Sequence, residues 1–227
     1  MLPEKDCPLT DFTPIKVCKQ GNDSRVDLVK HTPSGNKYIL KVFDKEKVMT
    51  NGSRIDQVLN ESNILKLIAG IPQSGPFAEK QTPEEAAYKW PTSLNRLVTT
   101  TKDENSLCLV LEQAQGIDLI TFIKLLDPKL KYEANSMVYK HSADLVTFLR
   151  HIVIQIIIGF DALHKAGIMY KDLKATHIFI DKNMKITIID FGLAEQMSDG
   201  STSTPAGTMH AMSPEMLILY TKVANGQ

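Results

Sequence analysis

Between Cys18 and Phe43 the apolar and polar positions predict strand, turn, strand, strand. Val26 and Leu28 alternate with polar neighbours and Lys30 keeps the register, the mark of a half-buried strand. Thr32-Pro33-Ser34-Gly35-Asn36 is dense in turn formers, and Tyr38 to Phe43 resumes an extended run. Ile55, Val58, Leu59, Ile64, Leu65 and Ile68 then recur at helical spacings, which predicts a helix over 55–68. Four prolines between Ala69 and Pro91 mark a loop with room for one helical turn. Leu107 to Leu111 is a short apolar run ending at Glu112, the pattern of a buried strand.

Residues 126–143 are polar and irregular and read as a surface insertion. Phe148 to Lys165 is apolar nearly all round, which predicts a buried helix. Its β-branched runs 152–154 and 156–158 are equally strand-like; length and the His164-Lys165-Ala166-Gly167 ending decide for helix. Two short strands follow, 178–180 and 186–189, joined by the turn Asp181-Lys182-Asn183. Strands come first and helix later, with one crossing near Glu112. The pattern predicts an α+β, bilobal protein with a β-rich N-lobe and a helical C-lobe.

Composition narrows the setting. The 227 residues carry 26 Lys+Arg against 26 Asp+Glu, so no basic footprint for nucleic acid exists. Three cysteines, Cys7, Cys18 and Cys108, are widely spaced with no C-x-x-C pair, which argues against a disulfide framework and for a reducing, cytoplasmic setting. The N-terminus is too polar for a secretory signal. The most apolar stretch, Ile152 to Leu163, is too short to span a bilayer and contains Gln155 and Asp161, so a soluble chain without a membrane partner is expected.

Four signals then occur in order: Lys41 at the end of Tyr38-Ile39-Leu40-Lys41, Glu61 on the following helix, Asp172 in Tyr170-Lys171-Asp172-Leu173-Lys174, and Asp190 opening Asp190-Phe191-Gly192. Each alone is bland: a strand-end lysine or a helix glutamate is commonly a solvated surface residue, and Asp-Phe-Gly can be a turn. In this order the sequence resembles the protein kinase superfamily, with its V-A-I-K, helix glutamate, H-R-D-L-x-x-x-N and D-F-G signatures. Gly207-Thr208 and Ser213-Pro214-Glu215 resemble the end of an activation segment. Arg25 to His31, Phe43 to Val48, Leu59-Asn60-Glu61 and the tyrosine in the catalytic loop resemble the AGC group, its cAMP-dependent members most, and Lys174 favours Ser/Thr over Tyr kinases. The resemblance implies a kinase-like domain over 15–220, with an N-lobe at 15–111, an incomplete C-lobe at 115–220 and an N-terminal extension at 1–14.

It also implies roles. Phosphoryl transfer has a loose transition state, so the protein positions groups and neutralises charge. Lys41 would hold the ATP phosphates and Glu61 would hold Lys41. Asp172 would accept the substrate hydroxyl's proton and Lys174 would sit near the γ-phosphate. Asp190 would bind Mg²⁺, since a hard cation takes carboxylate oxygens. Gly21, Val26, Ile39, Glu112, Asp118 and Phe179 would contribute to the nucleotide site. Asp118 is equally readable as an acid opening a helix.

Several positions depart from the family pattern. The glycine loop keeps only Gly21 in Lys19-Gln20-Gly21-Asn22-Asp23-Ser24-Arg25-Val26, so its backbone has less freedom to approach phosphate. Ile39 replaces the small alanine over the adenine pocket and either crowds it or is repacked. His177 replaces the asparagine of the second Mg²⁺ site, and imidazole suits borderline transition metals better than Mg²⁺, which points to single-metal or Mn²⁺-favoured chemistry; the alternative is loss of that site. Only Met216 to Gln227 follow Ser213-Pro214-Glu215, whereas the family continues with further helices, one of which supplies the arginine partner of the glutamate. Thr204 aligns with the activation-loop phosphosite, with Lys171 as the cation facing a phosphate; a merely polar, Ser/Thr-rich loop is the competing reading. Two functions stay open: a Ser/Thr protein kinase acting on protein substrates, with a regulatory subunit or kinase partner, or a pseudokinase serving as an interaction module. A small-molecule phosphotransferase is disfavoured by the Gly207-Thr208 and Ser213-Pro214-Glu215 pattern.

Overall fold

The computed structural model describes residues 7–21, 24–50, 52–70, 93–126, 142–197 and 204–225. They form two compact units. The expected loop 69–91 and insertion 126–143 lie almost wholly outside the described residues, as do Asn22 and Asp23 of the glycine loop.

Unit 1 takes the described residues up to Gly70 together with Asn95–Gln113. Five antiparallel strands run in the order β1-β2-β3-β5-β4, with β1 Phe12–Gln20, β2 Ser24–His31, β3 Lys37–Asp44, β4 Leu97–Lys102 and β5 Ser106–Glu112. Strand alternation sorts the side chains onto two faces. Val29, Tyr38, Leu40, Cys108 and Val110 meet Phe12 and Cys7 in one core. On the opposite face the register aligns Val26 with Lys41 and Leu109, and Leu28 with Ile39 and Leu111. Asp44 ends β3 and caps α1 (Lys45–Met49), its carboxylate accepting from the Lys47 N–H at 3.2 Å. The helix α2 (Gly52–Gly70) buries Val58, Ile64, Leu65 and Ile68 of the predicted stripe, while Ile55 is half-buried and Leu59 is exposed.

Two boundaries differ from expectation. The first strand starts at Phe12, so position 14, the expected end of an N-terminal extension, lies inside β1, and Cys7 is already buried. Every β1 residue after Phe12 is exposed, so no alternation marks this edge strand; pairing with β2 makes it. The threonine-rich β4 likewise lacks a clear apolar period and was not anticipated.

Unit 2 takes Ser93, Leu94 and the described residues from Ala114 onward. The N-lobe expected to run unbroken to residue 111 is therefore interrupted: Leu94 bridges Ile188, and the Ser93 carbonyl accepts from the Ile188 N–H at 2.7 Å. Its elements are β6 Ile117–Asp118, α3 Leu119–Leu126, α4 Ser142–Lys165, β7 Ile168–Met169, β8 Ile178–Ile180, β9 Ile186–Ile188, β10 Glu195–Gln196 and α5 Pro214–Ala224. The strands form a β6-β8-β9 sheet and a β7-β10 ribbon. Ser213 caps α5, accepting from the Met216 N–H at 3.3 Å, with Pro214 in the first turn and Glu215 exposed beside it.

The long helix corrects its sequence reading. It begins at Ser142, not Phe148, and is buried along one face only, through Ile152, Gln155, Ile158, Gly159 and Leu163. Val146, Leu149, Val153, Ile154 and Ile157 are exposed, Ile157 to 60 %. At 24 residues it also exceeds the short apolar stretch expected, and Val146–Lys165 is long and apolar enough to cross a membrane by length and composition. What the fold asks of its buried face is packing: Gln155 donates to the Met184 carbonyl at 2.8 Å and accepts from the Ile186 N–H at 3.0 Å, pinning the β8–β9 hairpin. Gly159 lets the hairpin close in, since a Cβ there would lie 3.2 Å from the Ile188 side chain.

Candidate active site

In unit 1 the Lys41 ammonium donates to Glu61 Oε1 at 2.6 Å, with the lysine side chain 16 % and the glutamate 6 % exposed. Removing two charges from water is costly unless they meet, so each holds the other in place. The ammonium also lies 5.6 Å from the Phe43 ring centroid, within cation–π range. Val26, Ile39 and Lys41 share one sheet face, with Val26 and Ile39 half-buried. Gly21 closes the β1–β2 hairpin, donating its N–H to the Ser24 carbonyl at 2.8 Å. Glu112 ends β5 with an exposed side chain, and its N–H donates to the Arg96 carbonyl.

Unit 2 gathers the other expected residues around Asp172. The segment Tyr170-Lys171-Asp172 turns sharply: Lys171 has φ +65° and the Asp172 N–H donates to the Tyr170 carbonyl at 3.0 Å. Asp190 has φ +64°. Left-handed backbone at non-glycine residues costs of order 1–3 kcal/mol and persists where surrounding contacts impose it. Here they do: the Tyr170 ring packs edge-on against Phe160 and Phe191, and its hydroxyl donates to the Ile189 carbonyl at 2.5 Å.

Asp172 is buried and doubly engaged. Lys174 Nζ donates to Oδ2 at 2.7 Å, and the Thr208 hydroxyl donates to Oδ1 at 2.5 Å. Lys174 also reaches Thr208 Oγ1 at 2.9 Å, which closes a triangle. Burial pushes the Asp172 carboxyl up, but the hydrogen bonds from Lys174 and Thr208 and the lysine charge outweigh it, leaving the group below its ordinary value. Thr208 was read from sequence only as a segment marker; its hydroxyl is a site residue 36 positions from its partner. Gly207 makes the approach feasible at φ +126°, where a Cβ would stand 2.5 Å from the Lys171 carbonyl. Glu195, also not anticipated, pairs with the buried Lys171 ammonium, which in addition donates to the Thr204 carbonyl at 3.1 Å.

His177 and Asp190, the expected metal pair, do meet. Around His177 Nδ1 lie the Asp172 carbonyl at 3.1 Å and the Tyr170 oxygen at 3.2 Å. The tyrosine hydrogen is used on Ile189, so both neighbours accept and Nδ1 carries the proton. Nε2 then turns a lone pair toward Asp190 Oδ2, 3.5 Å away. Burial pushes the imidazole down, against the pull of Asp190, and it stays neutral at pH 7. A lone pair facing a carboxylate is a donor set that a cation could bridge. Asp118 pairs across the sheet with half-buried Phe179, bringing two expected nucleotide contacts together. Its carboxylate also opens α3, accepting from the Thr121 N–H at 2.9 Å and hydroxyl at 2.8 Å.

A paired strand lysine and helix glutamate, an aspartate locked by a lysine and a threonine, and an Asp-Phe-Gly aspartate beside them in unit 2 define the protein kinase class. The family model "Protein kinase domain" matches residues 88–226, more than half of the sequence, and the chain belongs to that family. It is 27 % identical over 208 residues to a cGMP-dependent protein kinase of Eimeria tenella, covering 92 % of this chain and 17 % of the relative. It is 26 % identical over 211 residues to the RAC-beta serine/threonine-protein kinase of Rattus norvegicus, covering 92 % and 36 %. Over 199 residues it is 29 % identical to the serine/threonine-protein kinase PKH1 of Saccharomyces cerevisiae, covering 88 % and 21 %. The chain thus spans roughly a sixth to a third of the length of these relatives. Membership implies ATP and a divalent cation.

Proposed function

We propose that this chain carries the phosphotransfer centre of a Ser/Thr protein kinase acting on protein substrates. The observation that carries the reading is the Asp172–Lys174–Thr208 triangle, which fixes an ionised carboxylate where a hydroxyl could be oriented. Asp172 takes the hydroxyl proton, and Lys174 offers positive charge to the developing phosphoryl oxygens. Lys41, held by Glu61, grips the nucleotide phosphates. ATP with its cation supplies the transferred phosphoryl group; Asp190 and neutral His177 hold the cation, with Mn²⁺ preferred over Mg²⁺. This full set favours the enzyme over a pseudokinase.

Regulation through Thr204 fits the same reading. Lys171 reaches the Thr204 carbonyl and pairs with Glu195. A phosphate on Thr204, added by a kinase partner, would compete with Glu195 for that ammonium and order the loop. Free cysteines suit a reducing, cytoplasmic setting.

The test is transfer of labelled phosphate from ATP to Ser/Thr peptides with Mn²⁺ or Mg²⁺. Wild type should transfer, faster with Mn²⁺; Asp172→Ala should not; His177→Asn should shift the preference to Mg²⁺. Transfer that survives Asp172→Ala sinks the reading. So does a wild-type melting temperature that ignores saturating metal–ATP, since ligand at 100 times its Kd stabilises by about 2.7 kcal/mol.

A further inference from the structure

A second cluster of ligating side chains lies in unit 1, apart from the phosphotransfer residues. Cys7 and His31 are buried, Asp11 is half-buried, and their ligand atoms all lie within 4.8 Å of one another. We propose that Cys7, Asp11 and His31 form a zinc site that ties the N-terminal strap to the sheet.

The geometry suits that ion. Cys7 Sγ and His31 Nε2 stand 3.4 Å apart. A tetrahedral zinc with Zn–S near 2.3 Å and Zn–N near 2.0–2.1 Å sets sulfur and nitrogen roughly 3.5 Å apart. Thiolate, imidazole and carboxylate together select zinc over the oxygen-loving Mg²⁺ and Ca²⁺. Three protein ligands leave a fourth position for water.

The supports are in place without the ion. The His31 ring packs against Phe12 at 5.2 Å and edge-on against Tyr38 at 6.3 Å. Its Nδ1 lies 2.8 Å from Ser34 Oγ. With the proton on Nδ1 and donated to that hydroxyl, Nε2 turns its lone pair toward Cys7 and Asp11, the outer-shell arrangement that orients metal-bound histidines. The Ser34 N–H approaches the same nitrogen at 3.3 Å, a weaker contact that favours the other tautomer. In the metal-free chain that tautomer lets Nε2–H donate to Cys7, so zinc and the Cys7–His31 hydrogen bond are alternatives at one place. The backbone around Asp11 is fixed from two sides: its N–H donates to the Pro8 carbonyl at 3.0 Å and its carbonyl accepts from the Thr32 N–H at 2.8 Å.

The test uses the 227-residue chain freed of metal by a chelator and titrated with Zn²⁺ or Co²⁺. One equivalent should bind, Co²⁺ should show thiolate-to-metal absorption, and Cys7→Ser should remove that band and weaken Zn²⁺ by at least about tenfold, the loss that even outer-shell changes cause. A wild-type readout guards against a variant that misfolds: Zn²⁺ should slow alkylation of Cys7 while exposed Cys18 reacts as before. Absence of stoichiometric binding, binding that survives Cys7→Ser and His31→Gln, or equal alkylation of Cys7 with and without Zn²⁺ would overturn the site and leave a plain Cys–His hydrogen bond.

Discussion

Asp27 carries an unusual burden on β2. Its side chain is buried, Oδ2 accepts from Arg25 Nε at 2.8 Å, and Oδ1 finds no hydrogen-bond partner among the described residues. Its cross-strand neighbour on β3 is Leu40, a core residue. Aspartate is poor in strands, and a half-satisfied buried carboxylate costs more than an apolar side chain of similar size. Arg25 is half-exposed and can be solvated alone. Asp27→Val should therefore raise stability by about 1 kcal/mol, read as a higher denaturation midpoint at unchanged slope. Thr208 poses the opposite case. Thr208→Val keeps the shape and removes the hydroxyl that donates to Asp172 Oδ1, so phosphotransfer should fall about 10–100-fold through misorientation of the carboxylate. Thr208→Ser should restore most of it; a serine variant as slow as the valine one would show that packing, not the hydroxyl, matters.

At the scale of elements, Gln155 is what fits α4 to the β8–β9 hairpin. Both ends of its amide are used in a buried place, on the Met184 carbonyl and the Ile186 N–H. Gln155→Leu keeps the length and strands both backbone groups, so it should cost about 2–3 kcal/mol in a urea melt. In unit 1, Cys108 sits in the centre of β5, wholly buried, and burial, then Asp103, pushes its thiol from 9.0 up to about 12. The sign follows: below pH 9 the thiol is neutral folded or unfolded and nothing changes, while between 9 and 12 only the unfolded chain ionises, so stability falls as pH rises. Cys108→Ala should flatten that alkaline fall, by at most ~1.4 kcal/mol per pH unit, whatever its own baseline cost. These elements also show what sequence can and cannot reveal. β2, β3, α2, β5 and the β8–β9 hairpin were legible as elements because apolar and β-branched residues gather there. The face was misread in β2, whose buried side carries Asp27, Val29 and His31 and leaves Val26 and Leu28 half-buried, while β5 is buried on both faces as a continuous apolar run. β1 and β4 were not, because pairing rather than local pattern makes them strands. Lys41, Glu61, Asp172, Lys174 and Asp190 were legible as motif residues. Thr208 with Asp172, and Cys7 with His31, were not, because separations of 36 and 24 residues close only through tertiary structure.

For the molecule as a whole, the exposed face of α4 matters more than any single site. Val146, Leu149, Val153 and Ile157 follow at intervals of three and four, one stripe along the helix, and Ile154 lies beside Val153 and Ile157; α5 adds exposed Ile218 and Val223. Apolar stripes of this length drive association when they face water. The buried face does the packing through Ile152, Gln155, Ile158 and Leu163, so charging the exposed face should leave the fold intact. Exposed substitutions away from packed groups change stability by roughly 0.5 kcal/mol or less. The double variant Val153→Lys, Ile157→Lys should keep the wild-type helical circular dichroism and denaturation midpoint, while light scattering shows its concentration-dependent growth in mass reduced or gone. A variant that associates as strongly as wild type would move the cause to α5 or elsewhere. One that loses its helical signal would mean that Val153 and Ile157 are covered in solution, and that a contact made between molecules, not the packing within unit 2 alone, holds α4 in place.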